Sequence, residues 1–241
     1  MQKRICAVLL VIVTFFCVFN SGLPVGAENE MPFRDVKEND WFYSAVKKVY
    51  EEDVMKGKSA DMFSPRDAMT RAETVTLLSR LAGADVSGMR SYCARFGDVA
   101  PDSWYADYIG WGVRTGLVNG YSDNSFKPDN PIYRDEMAAL INRFADYNDI
   151  LLSDAPLTER FADYSSIQNW ALGDVEAMRK AGLMQGDQNG NFNPKNTLLR
   201  SEAAAVTSRL LDLCNADPVY ALLDNISNLT LTENNEILLS F

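Results

Sequence analysis

Apolar positions recur at helical spacing along most of this chain. Trp41, Ala45, Val46, Val49 and Tyr50 share one face of a helix predicted over residues 41–52. Residues 104–115 and 170–181 repeat that pattern. A second helix follows each of these, over residues 71–81, 134–145 and 200–211, with Val75, Leu77, Leu78 and Leu81 as the apolar stripe of the first copy. The intervening loops, residues 57–61, 120–124 and 186–190, carry the Gly, Asn and Asp that tight turns favour. Gly116 and Gly182 stand where a glycine ends a helix. Asp53 holds that place in the first copy, so its helix end is expected to be made differently. The Phe-x-Pro after each loop reads as extended, because proline disfavours helix in the residue before it, and is a candidate very short strand.

These pairs of helices belong to a threefold repeat. Phe33-Arg34-Asp35, Phe96-Gly97-Asp98 and Phe161-Ala162-Asp163 open the blocks. Each continues through a Trp (Trp41, Trp104, Trp170) and a Gly (Gly57, Gly120, Gly186) to Phe63, Phe126 or Phe192, and closes on Arg-x-Glu. The spacing from Gly to Phe and from Phe to Arg is the same in all three copies. One structural unit is therefore used three times. A two-helix unit cannot bury its own apolar face, so the expected fold is mainly α, with three helix-loop-helix units packed about a common axis. The connections, residues 84–95 and 148–160, lack Gly/Ser richness and are expected to pack.

The ends of the chain differ from the blocks. Lys3 and Arg4 precede an uncharged run over residues 5–19 and a small-residue stretch ending at Ala27. That is the layout of a secretory signal peptide over residues 1–27, too short in its apolar part to span a membrane comfortably. No later stretch of sequence could cross one, so the chain is not membrane-spanning once cleaved. Residues 213–241 match no block; 229–232 and 236–241 are candidates for a hairpin.

Composition narrows the function. The formal net charge is −10, and removing Lys3 and Arg4 with the leader makes it −12. Nucleic acid is a poor partner for such a surface. An anionic ligand would need a local cationic cluster working against the overall field. The chain has no His, which removes the commonest general base and zinc ligand. No nucleophile motif or tuned carboxylate pair is evident, so the chain reads as non-enzymatic, with no cofactor and no metal site. Asp187, Asn189 and Asn191 hint at a calcium loop, but Leu198 occupies the place of the bidentate acid, so they read as turn residues. Cys93 and Cys214 could pair in an oxidising compartment or be separate buried thiols.

Arg71, Arg134 and Arg200 carry the sharpest signal. Thr70 and Glu73 form a capping box, but that leaves Arg71 unexplained, since a cation faces the positive end of the helix dipole in the first turn. The cap is expected to fail in the second and third copies, where Tyr133 and Leu199 replace Thr70, yet the Arg stays. An Arg beside free helix N–H groups suits a carboxylate or phosphate. The alternative is an Arg paired with an Asp of a neighbouring block, such as Asp35 or Asp98. The Trp rings are weighted toward the core, with an exposed edge able to stack on sugars.

Phe-x-Asp-Val, Trp, Gly, Phe-x-Pro and Thr-Arg-Ala-Glu in this order resemble S-layer homology repeats, over residues 33–83, 96–147 and 161–212. The stretch from Gly120 to Ile132 is especially similar. The resemblance implies a pseudo-threefold, three-pronged bundle that anchors non-covalently to a bacterial cell wall at the cell surface. It implies binding of a secondary cell-wall polysaccharide with acidic, pyruvylated substituents, in grooves between repeats. By this resemblance Arg71, Arg134 and Arg200 contact the acid. The full candidate ligand set adds Glu73, Glu136, Glu202, Trp41, Trp104, Trp170, Asp35, Asp98, Asp163, Gly57, Gly120 and Gly186. Only the first copy keeps the full Thr-Arg-Ala-Glu, so the grooves are expected to be unequal. The alternative reading is an envelope adaptor that recruits another envelope protein through residues 213–241.

Overall fold

A computed structural model describes residues 31–153, 156 and 159–215. The expected signal peptide, the candidate hairpin and part of the second connection fall outside the described residues. Among the described residues six α-helices carry the fold: α1 (Tyr43–Glu51), α2 (Arg71–Leu81), α3 (Ala106–Arg114), α4 (Arg134–Tyr147), α5 (Leu172–Lys180) and α6 (Arg200–Asn215). The first helix of each pair starts two residues after its Trp rather than on it. None of the six is long and apolar enough to cross a membrane.

The helices do not pair within a repeat. α2 packs on α3, α4 on α5, and α6 on α1. Each prong thus joins the second helix of one repeat to the first helix of the next, and the last repeat returns to the first. The closing α6/α1 prong is tied by Lys48, which bonds Asp212 and the Ser208 carbonyl. Val46, Val49, Ile109, Val175 and Met178 are sealed in these contacts at the side of the first helices.

A ring of three backbone hydrogen bonds closes the centre. Met69 N–H donates to the Leu198 carbonyl at 2.8 Å, Leu198 N–H to Ile132 at 3.0 Å, and Ile132 N–H to Met69 at 2.9 Å. The three residues are equivalent in the repeat, and all are buried. Isolated bridges flank the ring: Ala68 with Leu199, Thr70 with Pro131, Tyr133 with Thr197. They are the only strand-like pairings among the described residues. The Phe-x-Pro segments are not extended as expected. Ser64, Lys127 and Asn193 have φ of 60°, 59° and 56°. The cause is an Asp clip: both oxygens of Asp35, Asp98 and Asp163 take successive N–H groups of Phe63/Ser64, Phe126/Lys127 and Phe192/Asn193, curling the chain around the carboxylate.

One further expectation is corrected and one open alternative is decided. Asp53 does not end α1 differently: its φ of 55° is left-handed, like Gly116 at 82° and Gly182 at 70°. Cys93 does not pair with Cys214. It is a buried thiol donating to the Ala106 carbonyl at 2.9 Å, and burial pushes its pKa up to about 11. The first connection packs as expected, as a 3₁₀ helix over Met89–Arg95 against α3, clamped by Arg90 on Asp107.

A left-handed Asp costs on the order of 1 kcal/mol relative to Gly. Asp53→Gly is therefore expected to raise stability by about 0.5–1 kcal/mol in thermal melts. An unchanged or lower melting temperature would contradict this.

Candidate functional site

Each junction between repeats is organised by one Arg. Nε of Arg71, Arg134 and Arg200 donates to the Phe126, Phe192 and Phe63 carbonyls at 2.8, 2.8 and 2.9 Å. The guanidinium lies 4.7–5.2 Å from the centroid of the same Phe ring. That ring also packs on the Phe that opens its own repeat, Phe96, Phe161 or Phe33. Nη1 then reaches the Glu of the next repeat: Arg71 to Glu136 at 3.0 Å, Arg134 to Glu202 at 3.6 Å and Arg200 to Glu73 at 3.7 Å. The order runs first to second, second to third, third to first.

The same Glu also closes its own helix start. Oε2 of Glu73, Glu136 and Glu202 accepts the N–H of Thr70, Tyr133 and Leu199. The cap expected to fail in two copies therefore loses only its hydroxyl half. This explains why Arg and Glu recur where the rest of the motif varies.

The first-turn Arg has a structural partner after all, though not the expected Asp. The expectation that helix N–H groups hold the anion is overturned at the first two positions of each second helix. Arg71 and Ala72 N–H donate to Asn130 and Pro128, Arg134 and Asp135 to Asn196 and Pro194, and Arg200 and Ser201 to Asp67 and Pro65. The Phe-x-Pro loop of the next repeat thus occupies the place proposed for the ligand.

The other candidates separate into frame and surface. Asp35, Asp98 and Asp163 spend both oxygens on the backbone clip. Gly57, Gly120 and Gly186 give clearance to a Phe ring: an added Cβ would sit 2.5, 2.2 and 2.9 Å from Phe33, Phe96 and Phe161. Asp187 Oδ1 accepts the Asn189 and Asn191 N–H groups, as turn chemistry requires. Trp41, Trp104 and Trp170 are 68%, 59% and 53% exposed, not core. They precede their helices, outside the apolar stripe that the spacing extrapolated onto them.

Three grooves form at the junctions. The first is lined by Lys56, Lys58, Arg80 and Arg200 with one carboxylate, Glu73, and receives Trp104 from the second repeat. The second is lined by Arg71, Lys127, Arg143 and Lys195 with one carboxylate, Glu136, and receives Trp170 from the third repeat. In the third, Arg134 and Lys195 are balanced by Asp187 and Glu202, and no Trp lines it. The grooves are unequal, as expected, and two of them concentrate positive charge on an acidic chain.

The electrostatics follow this wiring. Burial opposes ionisation of Glu73, but the Lys58 hydrogen bond, the Thr70 N–H and the charges of Lys58 and Arg200 outweigh it and hold its pKa below the ordinary value. In the second groove Tyr121 takes the place of Lys58 and donates to Glu136 at 2.6 Å, its pKa raised by burial and by that carboxylate. Sequence reasoning missed Lys58, Tyr121, Lys127 and Lys195, which vary between copies. It also missed Arg80 and Arg143, although an Arg recurs nine residues after the motif Arg in every copy.

A family model described as the S-layer homology domain matches residues 32–75, 95–138 and 160–204. An endoglucanase of Bacillus sp. (strain KSM-635) is 32% identical over 213 residues, 87% of this chain and 22% of that protein. The surface-layer 125 kDa protein of Lysinibacillus sphaericus is 30% identical over 72% of this chain and 14% of its own length. The cellulosome-anchoring protein of Acetivibrio thermocellus is 27% identical over 66% of this chain and 35% of its own length. The chain thus spans about a third or less of each of these relatives.

Two outcomes follow from the junction chemistry. Arg200→Ala strands the Phe63 and Lys56 carbonyls that its guanidinium holds. It should cost about 2–4 kcal/mol in denaturant titrations; an unchanged midpoint would contradict the structural role. Glu73, with a depressed folded pKa, contributes stability above its unfolded value that is lost as pH falls through the folded one. Glu73→Gln should therefore lose less stability than the parent as pH falls below about 4.5, the ordinary carboxyl value. Parallel pH profiles would refute this assignment.

Proposed function

The chain belongs to the S-layer homology family, and from that premise we propose that it attaches non-covalently to the bacterial cell wall at the cell surface. It does so by binding an acidic secondary cell-wall polysaccharide, with pyruvyl ketals as the recognised acid. The observation that carries this reading is the pair of grooves in which four cations face one carboxylate on a chain of net charge −10. Relatives whose names mark them as a surface-layer protein and a cellulosome-anchoring protein agree with anchoring. The endoglucanase shares only 22% of its length with this chain, which favours a shared attachment module over shared catalysis.

The recurrent Arg residues act from behind. Their guanidinium groups are pinned to carbonyls, rings and Glu, so they fix the groove wall and lend it charge. Contact with the sugar falls to the groups lining the grooves, with the exposed Trp104 and Trp170 as stacking faces and Lys58, Arg80, Lys127 and Arg143 as cations. Two weak grooves on one rigid body gain avidity along a repeating polymer. The neutral third groove contributes little to anion binding.

Because both Trp rings are largely exposed, Trp104→Ala with Trp170→Ala should leave the fold intact. Stacking of about 1 kcal/mol per ring predicts roughly tenfold or greater weakening of cosedimentation with purified wall sacculi. Trp41→Ala should have little effect, and stripping the pyruvyl groups should abolish binding. Unchanged sedimentation of the double variant, or of the stripped polymer, would overturn the reading.

A further inference from the structure

The second helix starts on Arg-Ala-Glu, Arg-Asp-Glu and Arg-Ser-Glu in the three repeats, so Asp135 stands where Ala72 and Ser201 stand elsewhere. Asp135 is completely buried. Its Oδ2 accepts from Lys195 Nζ at 2.7 Å, and its Oδ1 has no partner among the described residues. Lys195 belongs to the third repeat, one residue after the Pro of Phe-x-Pro. Arg66 and Asp129 occupy the equivalent places in the first and second repeats. Facing Ser201 and Ala72 there, they make no such pair, so the buried acid and its cation occur together at a single junction.

Stability does not account for this pair. A buried ion pair rarely improves on an apolar neighbour of similar shape, and Ala72 serves the same frame position. The half-satisfied carboxylate adds a further cost. Its effect is to fix an ammonium group whose side chain is itself 53% exposed. Lys195 Nζ lies 5.7 Å from the Trp170 ring centroid and 5.7 Å from that of Tyr133. It stands on the ridge that borders both the second and the third groove.

We infer that Lys195 is the specificity-determining cation of the second groove, and that Asp135 is its positioning residue. The ligand class is a sugar carrying a carboxylate, with the ring seated on Trp170 and the acid on Lys195. The second groove is then assembled from all three repeats, and its anion contact lies outside the recurrent Arg-x-Glu motif. This inference rests on the proposed binding of an acidic sugar.

The probe is a methyl hexoside bearing a 1-carboxyethylidene ketal, with its methyl ester as the neutral control, titrated against the full chain and followed at the Trp170 indole N–H by NMR. Failure of the parent to bind the ketal would refute the proposed function itself. If the parent binds, Lys195→Gln should weaken affinity about tenfold and flatten its salt dependence, while Lys195→Arg restores part of it. Asp135→Asn supplies the sign test. It removes a negative charge, so simple attraction predicts tighter binding, whereas a positioning role predicts several-fold weaker binding. The change should vanish in the Lys195→Gln background, where there is no ammonium left to position. Unaltered affinity in Lys195→Gln, or tighter binding in Asp135→Asn, would overturn the inference. Because Lys195 is exposed, its variants test the claim even if Asp135→Asn folds poorly.

Discussion

The ring of hydrogen bonds joining Met69, Leu198 and Ile132 sets what this protein can be. Each repeat supplies one N–H and one carbonyl, and each is completed by a different neighbour. A buried backbone donor or acceptor left open costs about 1–3 kcal/mol. Two repeats without the third would leave such groups open at the centre and at two of the three flanking bridges. The helices obey the same rule, since every prong takes one helix from each of two repeats. Closure is therefore a property of the set of three, reached only when α6 returns to α1.

The proposed binding capacity lies at the seams of that closed set. The Arg that locks one repeat to the next also brings its charge to the groove between them. Its Glu partner caps a helix and limits that charge. Burial of this wiring leaves the variable residues at the groove mouth to differentiate the sites: Lys58, Tyr121 and Asp187 occupy equivalent places and give the three grooves different characters. A repeated frame thus produces non-identical sites without altering its core.

The sequence made the frame legible because the frame recurs. The second helices start where the spacing placed them, and the three-repeat helical bundle follows from amphipathic units that cannot bury themselves. What stayed hidden was partnership across repeats. Spacing within one repeat cannot show that Arg71 answers Glu136, or that Pro128 and Asn130 consume the N–H groups thought free for a ligand. The Trp residues misled for a related reason. They sit in register with the helical stripe but precede the helix, where the chain has not yet turned inward. The left-handed Ser64, Lys127 and Asn193 were concealed because the Asp clip that curls them lies nearly thirty residues away in sequence.

The central claim is that three repeats form one cooperative body through this ring. Native-state hydrogen exchange at the Met69, Ile132 and Leu198 amides tests it most directly. The three amides should exchange together, at the free energy of global unfolding, and share one denaturant dependence. Exchange of any one of them at a distinctly lower free energy would contradict the account, because that repeat would then open while the other two stayed folded.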